Sequence, residues 1–366
     1  MTCRIDLIAG TRPNVVKIAP LYKALVQQDW CRPRILFIGQ HTTPNMSADM
    51  FEAFGIGADE LTRISLSARS FGNRLGEIIE AACAAFENDR PDIVVVPGDV
   101  DVSLGAALAA RRVGVPVAHL EAGLRSYDET MPEEANRVLI DSISTLLLAP
   151  SEASAANLIY REGRSHREVH FVGNIMIDAL IKVIDETAAR EAMDEFGVEA
   201  GRFGILTLHR PANVDDPRVL RELLRFTRRA AERYRMIFPV HPRLRSRMEN
   251  MRDSIHPHII TCEPIDYVRF VNLMSKAAFF ITDSGGVQEE TSHVGVPCFT
   301  LRENTERPIT LYEGVNHLID LYNGHAVMEA VLARPRLTPK QLPLWDGLTA
   351  WRVGAVLRTW WTARRG

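Results

Sequence analysis

The 366-residue sequence predicts two Rossmann-like, doubly wound α/β domains in series. Three observations carry this. The apolar runs are short and rich in Val, Ile and Leu. Helical patterns separate them. The alternation lapses after residue 172 and restarts near residue 203. Runs apolar on both faces and alternating with helices indicate parallel sheets covered on both sides. The length suits two ordinary domains, and 46% hydrophobic with 24% charged residues suffices for two cores.

In the first half the expected strands are Ile5–Ala9, Ile35–Ile38, Ile93–Val96, Val115–Leu120, Leu146–Ala149 and Val169–Val172. Helices are expected at Leu21–Gln27, Leu75–Glu87, Ser103–Arg112 and Glu134–Ile143. The second half repeats the pattern with strands at Phe203–Leu208, Met236–Val240, Ile259–Cys262, Phe279–Thr282 and Pro297–Leu301. Its helices are expected at Pro217–Tyr234, Tyr267–Ser275 and Val287–His293. The DDP before the first of these supplies an N-cap and a proline at the first helical position. The expected domains span 1–172 and 173–345, with a linker near Gly173–Ile184. The tail, Leu344–Arg365, carries four of the five tryptophans and predicts a helix over 346–366 packed back on the first domain.

A net charge of −3 gives no electrostatic case for nucleic acid or an anionic membrane. The five cysteines are scattered without a CxxC pair, so neither a disulfide framework nor a zinc site is expected. Strand-like sequence begins almost at once, no apolar run approaches a membrane span, and the expectation is a soluble cytoplasmic protein.

In such sheets ligands gather at the carboxyl ends of strands. The candidate residues fall there. In AGTRPNVVK, Arg12 and Lys17 stand at the start of a helical segment after a strand, where cations suit an anion; a solvated turn with ordinary salt bridges is the competing reading. In VVVPGDVDVS, Asp99 follows a buried strand, with a helix N-cap as its alternative, and Asp101 could equally be that cap. The stretch HLEAGLRSYDETMPEEANR holds Glu121, Asp128, Glu129, Glu133 and Glu134, with Arg125 and Arg137 among them. A helix dipole explains Glu133 or Glu134 but not Glu121, which ends a buried strand. Asp128 and Glu129 read as solvated loop acids.

In TLHRPANVDD, His209 and Arg210 end a strand, offering a group that titrates near neutrality and a phosphate grip. His241 in FPVHPR does the same with less support. In ITDSGGVQEE, strand, Ser284-Gly285-Gly286 and helix follow in order; glycines admit close backbone approach and a helix start presents free N–H groups to a diphosphate. Glu290 further along suits a ribose diol. Arg302 and Arg307 follow another strand. His256 and His258 flank a proline without acidic partners, so no metal site is expected. Acids with cations in one domain and phosphate-binding elements in the other describe a nucleotide-sugar enzyme.

These residues carry a resemblance. GTRPNVVKIAPL, Gln40–His41, PGD, HLEAGLRS, MPEEANR, VGNIMIDAL, LHRP, FPVHPR and DSGGVQEE…GVPC…ENTERP occur in order across about 320 residues. The chain resembles the non-hydrolysing UDP-N-acetylglucosamine 2-epimerases. The resemblance implies a glycosyltransferase-B-like fold, with two domains facing across a cleft. It also implies no nicotinamide or metal cofactor and a homodimer.

It further implies interconversion of UDP-GlcNAc and UDP-ManNAc by anti elimination of UDP to 2-acetamidoglucal and syn re-addition. Asp99, Glu121 and Glu133 are then the acid/base groups at C2, in unresolved order, and His209 serves the leaving oxygen. Arg12, Ser284, Gly285 and Gly286 would hold the diphosphate, Glu290 the ribose, and Lys17, Arg137 and Arg307 the charge balance. His241 and Phe270 complete the implied substrate-binding set. The alternatives are a hydrolysing relative releasing UDP and N-acetylmannosamine, an epimerase of a modified UDP-sugar such as a 2,3-diacetamido uronate, a glycosyltransferase of the same fold, or a non-catalytic binder.

The sequence departs from the family in three places. GTRPN stands where GTRPE is common. VDVS follows PGD where threonines or VNST are common, so Asp101 would press on Asp99 by like-charge repulsion if it faced the site. QHTTPNM stands where QHREM accompanies allosteric activation by UDP-GlcNAc, so that subsite is not expected intact.

Overall fold

The structure, a computed structural model, describes residues 2–40, 50–67, 70–240, 242–249, 251, 255–334 and 341–365. The chain divides into two compact units. One is Met1–Ala179 together with Pro343–Gly366; the other is Leu180–Leu342.

Among the described residues the first unit holds seven parallel strands: β1 (Cys3–Ala9), β2 (Cys31–Gln40), β3 (Leu61–Leu66), β4 (Ile93–Pro97), β5 (Val117–Leu120), β6 (Leu146–Ala149) and β7 (Val169–Phe171). Their order is β3-β2-β1-β4-β5-β6-β7. Strand β4, IVVVP, is buried at every position, as a strand covered on both faces must be. Ile8, Leu36, Val94, Val96 and Val117 form its core with Ile78, Phe86 and Ala106 from the overlying helices.

Helix Arg12–Leu25 begins nine residues earlier than the expected Leu21. Pro13 stands in its first turn, where a missing N–H costs nothing, and Pro20 sits inside it. Asn14 accepts from the Thr11 N–H and hydroxyl (3.2 and 2.9 Å) and donates to the Pro97 carbonyl (3.2 Å). A glutamate there could not make that last donation, which gives the GTRPN departure a physical role.

The C-terminal helix, Thr349–Ala363, packs on helix Arg12–Leu25 with Val353 and Leu357 fully buried. Asp178 accepts from the N–H groups of Thr349 and Ala350 (3.2 and 2.8 Å), satisfying donors at the helix start. Trp345 is buried and donates to the Pro150 carbonyl at 3.2 Å. Gly173 (φ +95°) lies so close to the Leu344 carbonyl that a side chain there would overlap it.

The second unit holds six parallel strands among the described residues: β8 (Phe203–Thr207), β9 (Arg235–Pro239), β10 (Ile259–Cys262), β11 (Phe279–Thr282), β12 (Cys298–Leu301) and β13 (Asn316–Ile319). Their order is β10-β9-β8-β11-β12-β13. Leu206, Phe238, Phe279, Ile281 and Phe299 form its core with Leu220, Leu223 and Leu224 of helix Pro217–Ala231. That helix is capped as the DDP pattern predicts, with Asp216 accepting from the Arg218 N–H at 2.8 Å.

Both sheets reverse strand order once, between β1 and β4 and between β8 and β11. Crevices outside the carboxyl ends at such reversals are where open α/β sheets bind ligands. The two-domain α/β architecture of the glycosyltransferase-B-like class is thus present. No helix among the described residues is long and apolar enough to cross a membrane.

Candidate functional site

In the first unit the candidate residues flank the β1/β4 reversal. Arg12 opens the helix after β1, and Lys17 follows one turn later on that helix. Asp99 sits between β4 and helix Asp101–Arg112, whose N-cap position is Val100, so Asp99 is not the cap. Its carboxylate is held by Arg137, with Nη2 and Nε at 2.7 and 2.8 Å from Oδ2. Arg137 also grips Glu134 at 2.6 Å. The position expected to balance substrate charge therefore spends that charge on two protein carboxylates.

Glu121 is 4% exposed and ends β5 with a left-handed backbone, φ +74°. Non-glycine residues occupy that region at a cost of about 1–3 kcal/mol, and such strain clusters at functional sites. Its Oε2 accepts from Lys17 Nζ at 2.5 Å. Its Oε1 is buried with no hydrogen-bond partner among the described residues. Gly98, at φ +63°, lets the chain pass over this pair: a Cβ there would stand 2.6 Å from Lys17 Nζ.

Glu133 and Glu134 have opposite fates. Glu134 is buried and accepts from the N–H groups of Ser126 and Tyr127, both at 3.0 Å. Burial raises its carboxyl, but those N–H groups and Arg137 outweigh burial and hold it below the ordinary range. Glu133 is exposed in the first turn of helix Pro132–Ile143. It lines a cavity of about 460 Å³ with Arg12, Arg74, Asp99, Asp101 and Asn136. Asp101 pairs with Arg74 at 2.9 Å, so an arginine answers the carboxylate expected to press on Asp99. Asp128 accepts from Thr130 N–H at 3.0 Å and Glu129 is exposed, as solvated loop acids would be.

In the second unit His209 follows β8 and Ser284 follows β11. The hydroxyls of Thr207 and Thr282 meet at 2.6 Å between those strands. His209 Nδ1 lies 2.8 Å from Asp283 Oδ1. Asp283 is fully buried and also accepts from Arg210 N–H (3.0 Å) and Asn213 Nδ2 (3.1 Å). Burial raises its carboxyl, but His209 first, then Arg210 and Asn213, bring it below the usual range. Nδ1 thus faces a carboxylate, which fixes the orientation of the ring. Sequence reasoning passed over Asp283; its signal was the aspartate closing the strand ahead of Ser-Gly-Gly.

Ser284 is the N-cap of helix Gly285–Val294, and Gly285 and Gly286 form its first turn. Glu290, on that helix, is buried, and Tyr267 Oη donates to its Oε1 at 3.1 Å. Burial pushes the Glu290 carboxyl up to about 8. Arg307 is buried between Glu289, 2.8 Å away, and Glu306. Phe270 is half-buried, edge-on to Phe280 with ring centroids 5.9 Å apart. His241 lies outside the described residues. Among the described residues no group of three or more His, Cys, Asp or Glu side chains is arranged to hold a metal ion.

A family model for UDP-N-acetylglucosamine 2-epimerase matches residues 23–358. The chain is 36% identical to the UDP-N-acetylglucosamine 2-epimerase of Methanococcus maripaludis, over 84% of this chain and 85% of that one. It is 32% identical to the UDP-2,3-diacetamido-2,3-dideoxy-D-glucuronate 2-epimerase of Pseudomonas aeruginosa, over 86% and 88%. Among solved structures it is similar to Methanocaldococcus jannaschii UDP-GlcNAc 2-epimerase in complex with UDP-GlcNAc and UDP, with a TM-score of 0.87, 33% identity, and 97% and 99% of the two chains covered.

Proposed function

The chain belongs to the UDP-N-acetylglucosamine 2-epimerase family, and from that premise we propose that it interconverts UDP-GlcNAc and UDP-ManNAc without hydrolysis. The observation that carries this reading is Glu121: buried, backbone-strained, paired with Lys17 through one oxygen and, among the described residues, unpartnered at the other. A carboxylate kept this way in a nucleotide-sugar site is suited to proton transfer.

The second unit holds UDP. The first turn of helix Gly285–Val294 offers N–H groups to the diphosphate, and Glu290 takes the ribose hydroxyls. The first unit acts on the sugar. One of Asp99, Glu121 and Glu133 removes the C2 proton; the freed electron pair forms the C1–C2 double bond as the C1–O bond breaks and UDP departs. His209, oriented by Asp283, stabilises or protonates the leaving oxygen. UDP then re-adds at C1 while another acid protonates C2 on the opposite face. The protein works in the cytoplasm as a homodimer. Exposed Leu108, Val138 and Leu139, on the adjoining helices Asp101–Arg112 and Pro132–Ile143, support a self-association surface.

Proton NMR of the protein with UDP-GlcNAc in D2O tests the reading. UDP-ManNAc carrying deuterium at C2 is expected. Free N-acetylmannosamine with UDP would make the chain a hydrolysing enzyme. Turnover of UDP-2,3-diacetamido-glucuronate alone would make it an epimerase of that modified sugar, like the 32%-identical relative.

A further inference from the structure

A buried polar chain runs behind the carboxylates of the first unit, and none of the roles above uses it. His119, on β5, and Asp141, on helix Pro132–Ile143, are both fully buried. His119 Nδ1 lies 2.6 Å from Asp141 Oδ1, and its Nε2 lies 2.8 Å from the Gly98 carbonyl oxygen. Burial raises the Asp141 carboxyl, but His119 and then Arg125 outweigh it and keep it a carboxylate. A carboxylate and a carbonyl only accept, so the ring donates from both nitrogens. The other Asp141 oxygen accepts from the Gly123 N–H at 3.0 Å and from Arg125 Nη2 at 2.6 Å.

The two ends of this chain fall beside the acid/base candidates. Gly98 is the residue before Asp99. Gly123 stands two residues after Glu121, in the turn that carries the left-handed backbone. Asp141 lies one helical turn beyond Arg137, which grips Asp99. Stability alone does not explain the arrangement, because buried ion pairs are often matched or bettered by well-packed apolar side chains. What it supplies is a fixed separation, and misplacement of reacting groups by about 1 Å can cost on the order of 100-fold in rate.

We propose that His119 and Asp141 are positioning residues that hold the Gly98–Asp99 loop and the Glu121–Gly123 turn in register for proton transfer at C2. This rests on the reading of Asp99 and Glu121 as acid/base groups.

The test uses His119→Gln and Asp141→Asn in the full chain, each assayed for turnover of UDP-GlcNAc, C2 deuterium exchange and UDP affinity. Both variants should lose kcat and exchange by about 10- to 100-fold while KM and the UDP Kd stay unchanged. A folded variant with normal kcat overturns the proposal. So does a parallel loss of kcat and UDP affinity, which would mean general loosening. If neither variant folds, nitrogen-15 NMR of the wild-type imidazoles decides. Two exchange-protected ring N–H protons on His119 are expected, and one bare nitrogen there would overturn the brace. A wild-type protein inactive towards UDP-GlcNAc would instead sink the functional reading itself.

Discussion

Lys17 Nζ donates to Glu121 Oε2 at 2.5 Å, and both side chains are buried where β1 and β5 end. The pairing sets a cation against one buried carboxylate oxygen, while the other has no hydrogen-bond partner among the described residues. Glu121→Gln should therefore retain UDP binding and abolish C2 exchange. Normal exchange in that variant would remove Glu121 from the acid/base set. Lys17→Met leaves the carboxylate buried and unpaired, which typically destabilises by about 3–5 kcal/mol. An unchanged denaturation midpoint for that variant would mean the pair contributes little to the fold.

His209→Ala should lower kcat by at least about 100-fold, the lower end for a positioned acid–base or electrostatic group. Asp283→Asn removes the acceptor that fixes the ring, so it should reduce kcat in the same direction with a smaller loss. A drop of only a few-fold for His209→Ala would make the Asp283 contact a structural tie.

The fold favours the protonated form of Glu290, whose carboxyl titrates at about 8 instead of 4.5 because burial disfavours the charge. Its contribution to stability is fully present below pH 4.5 and is lost as pH rises through about 8. The span corresponds to roughly 5 kcal/mol at most. Glu290→Gln should flatten the decline of unfolding free energy across that window, measured in the absence of UDP. A decline of identical slope in the variant would assign the effect to other groups.

Trp345→Ala empties a fully enclosed indole site in the first unit, and such truncations cost about 3–5 kcal/mol. The guanidinium midpoint should fall accordingly. Trp345→Phe should cost less, since it mainly strands the Pro150 carbonyl.

The centre of each sheet was legible in the sequence because central strands such as β4 and β11 are buried at every position and, Thr282 apart, apolar. Two edge strands were not. Strand β3, LTRISL, exposes Thr62, Arg63 and Ser65, and β13, NHLI, is short and half polar. An edge strand needs only one covered face, so it leaves no apolar run. The start of helix Arg12–Leu25 was hidden by Pro13 and Pro20, which read as breakers outside their structural context.

Within the site, the strand-end positions of Arg12, Asp99, Glu121, His209 and Ser284 could be read from pattern. Pairing could not. Arg137 meets Asp99 across 38 residues and His209 meets Asp283 across 74, distances over which a single sequence carries no register. The pairing of Asp101 with Arg74, 27 residues away, was equally invisible, so the expected conflict with Asp99 becomes a neutralised pair.

The adjacency of Gly173 and Leu344 bears on the order in which the protein is made. The second unit is spliced into the first, so residues 343–366 emerge from the ribosome only after all of Leu180–Leu342. Domains generally fold as units, amino-terminal first, during synthesis. Here the unit begun first is finished last. Until helix Thr349–Ala363 arrives, the face of helix Arg12–Leu25 that it covers stays open to water while the later unit already has its whole sequence. Chains stalled near residue 342 would therefore carry an apolar surface that the finished protein hides, making them the natural clients of chaperones.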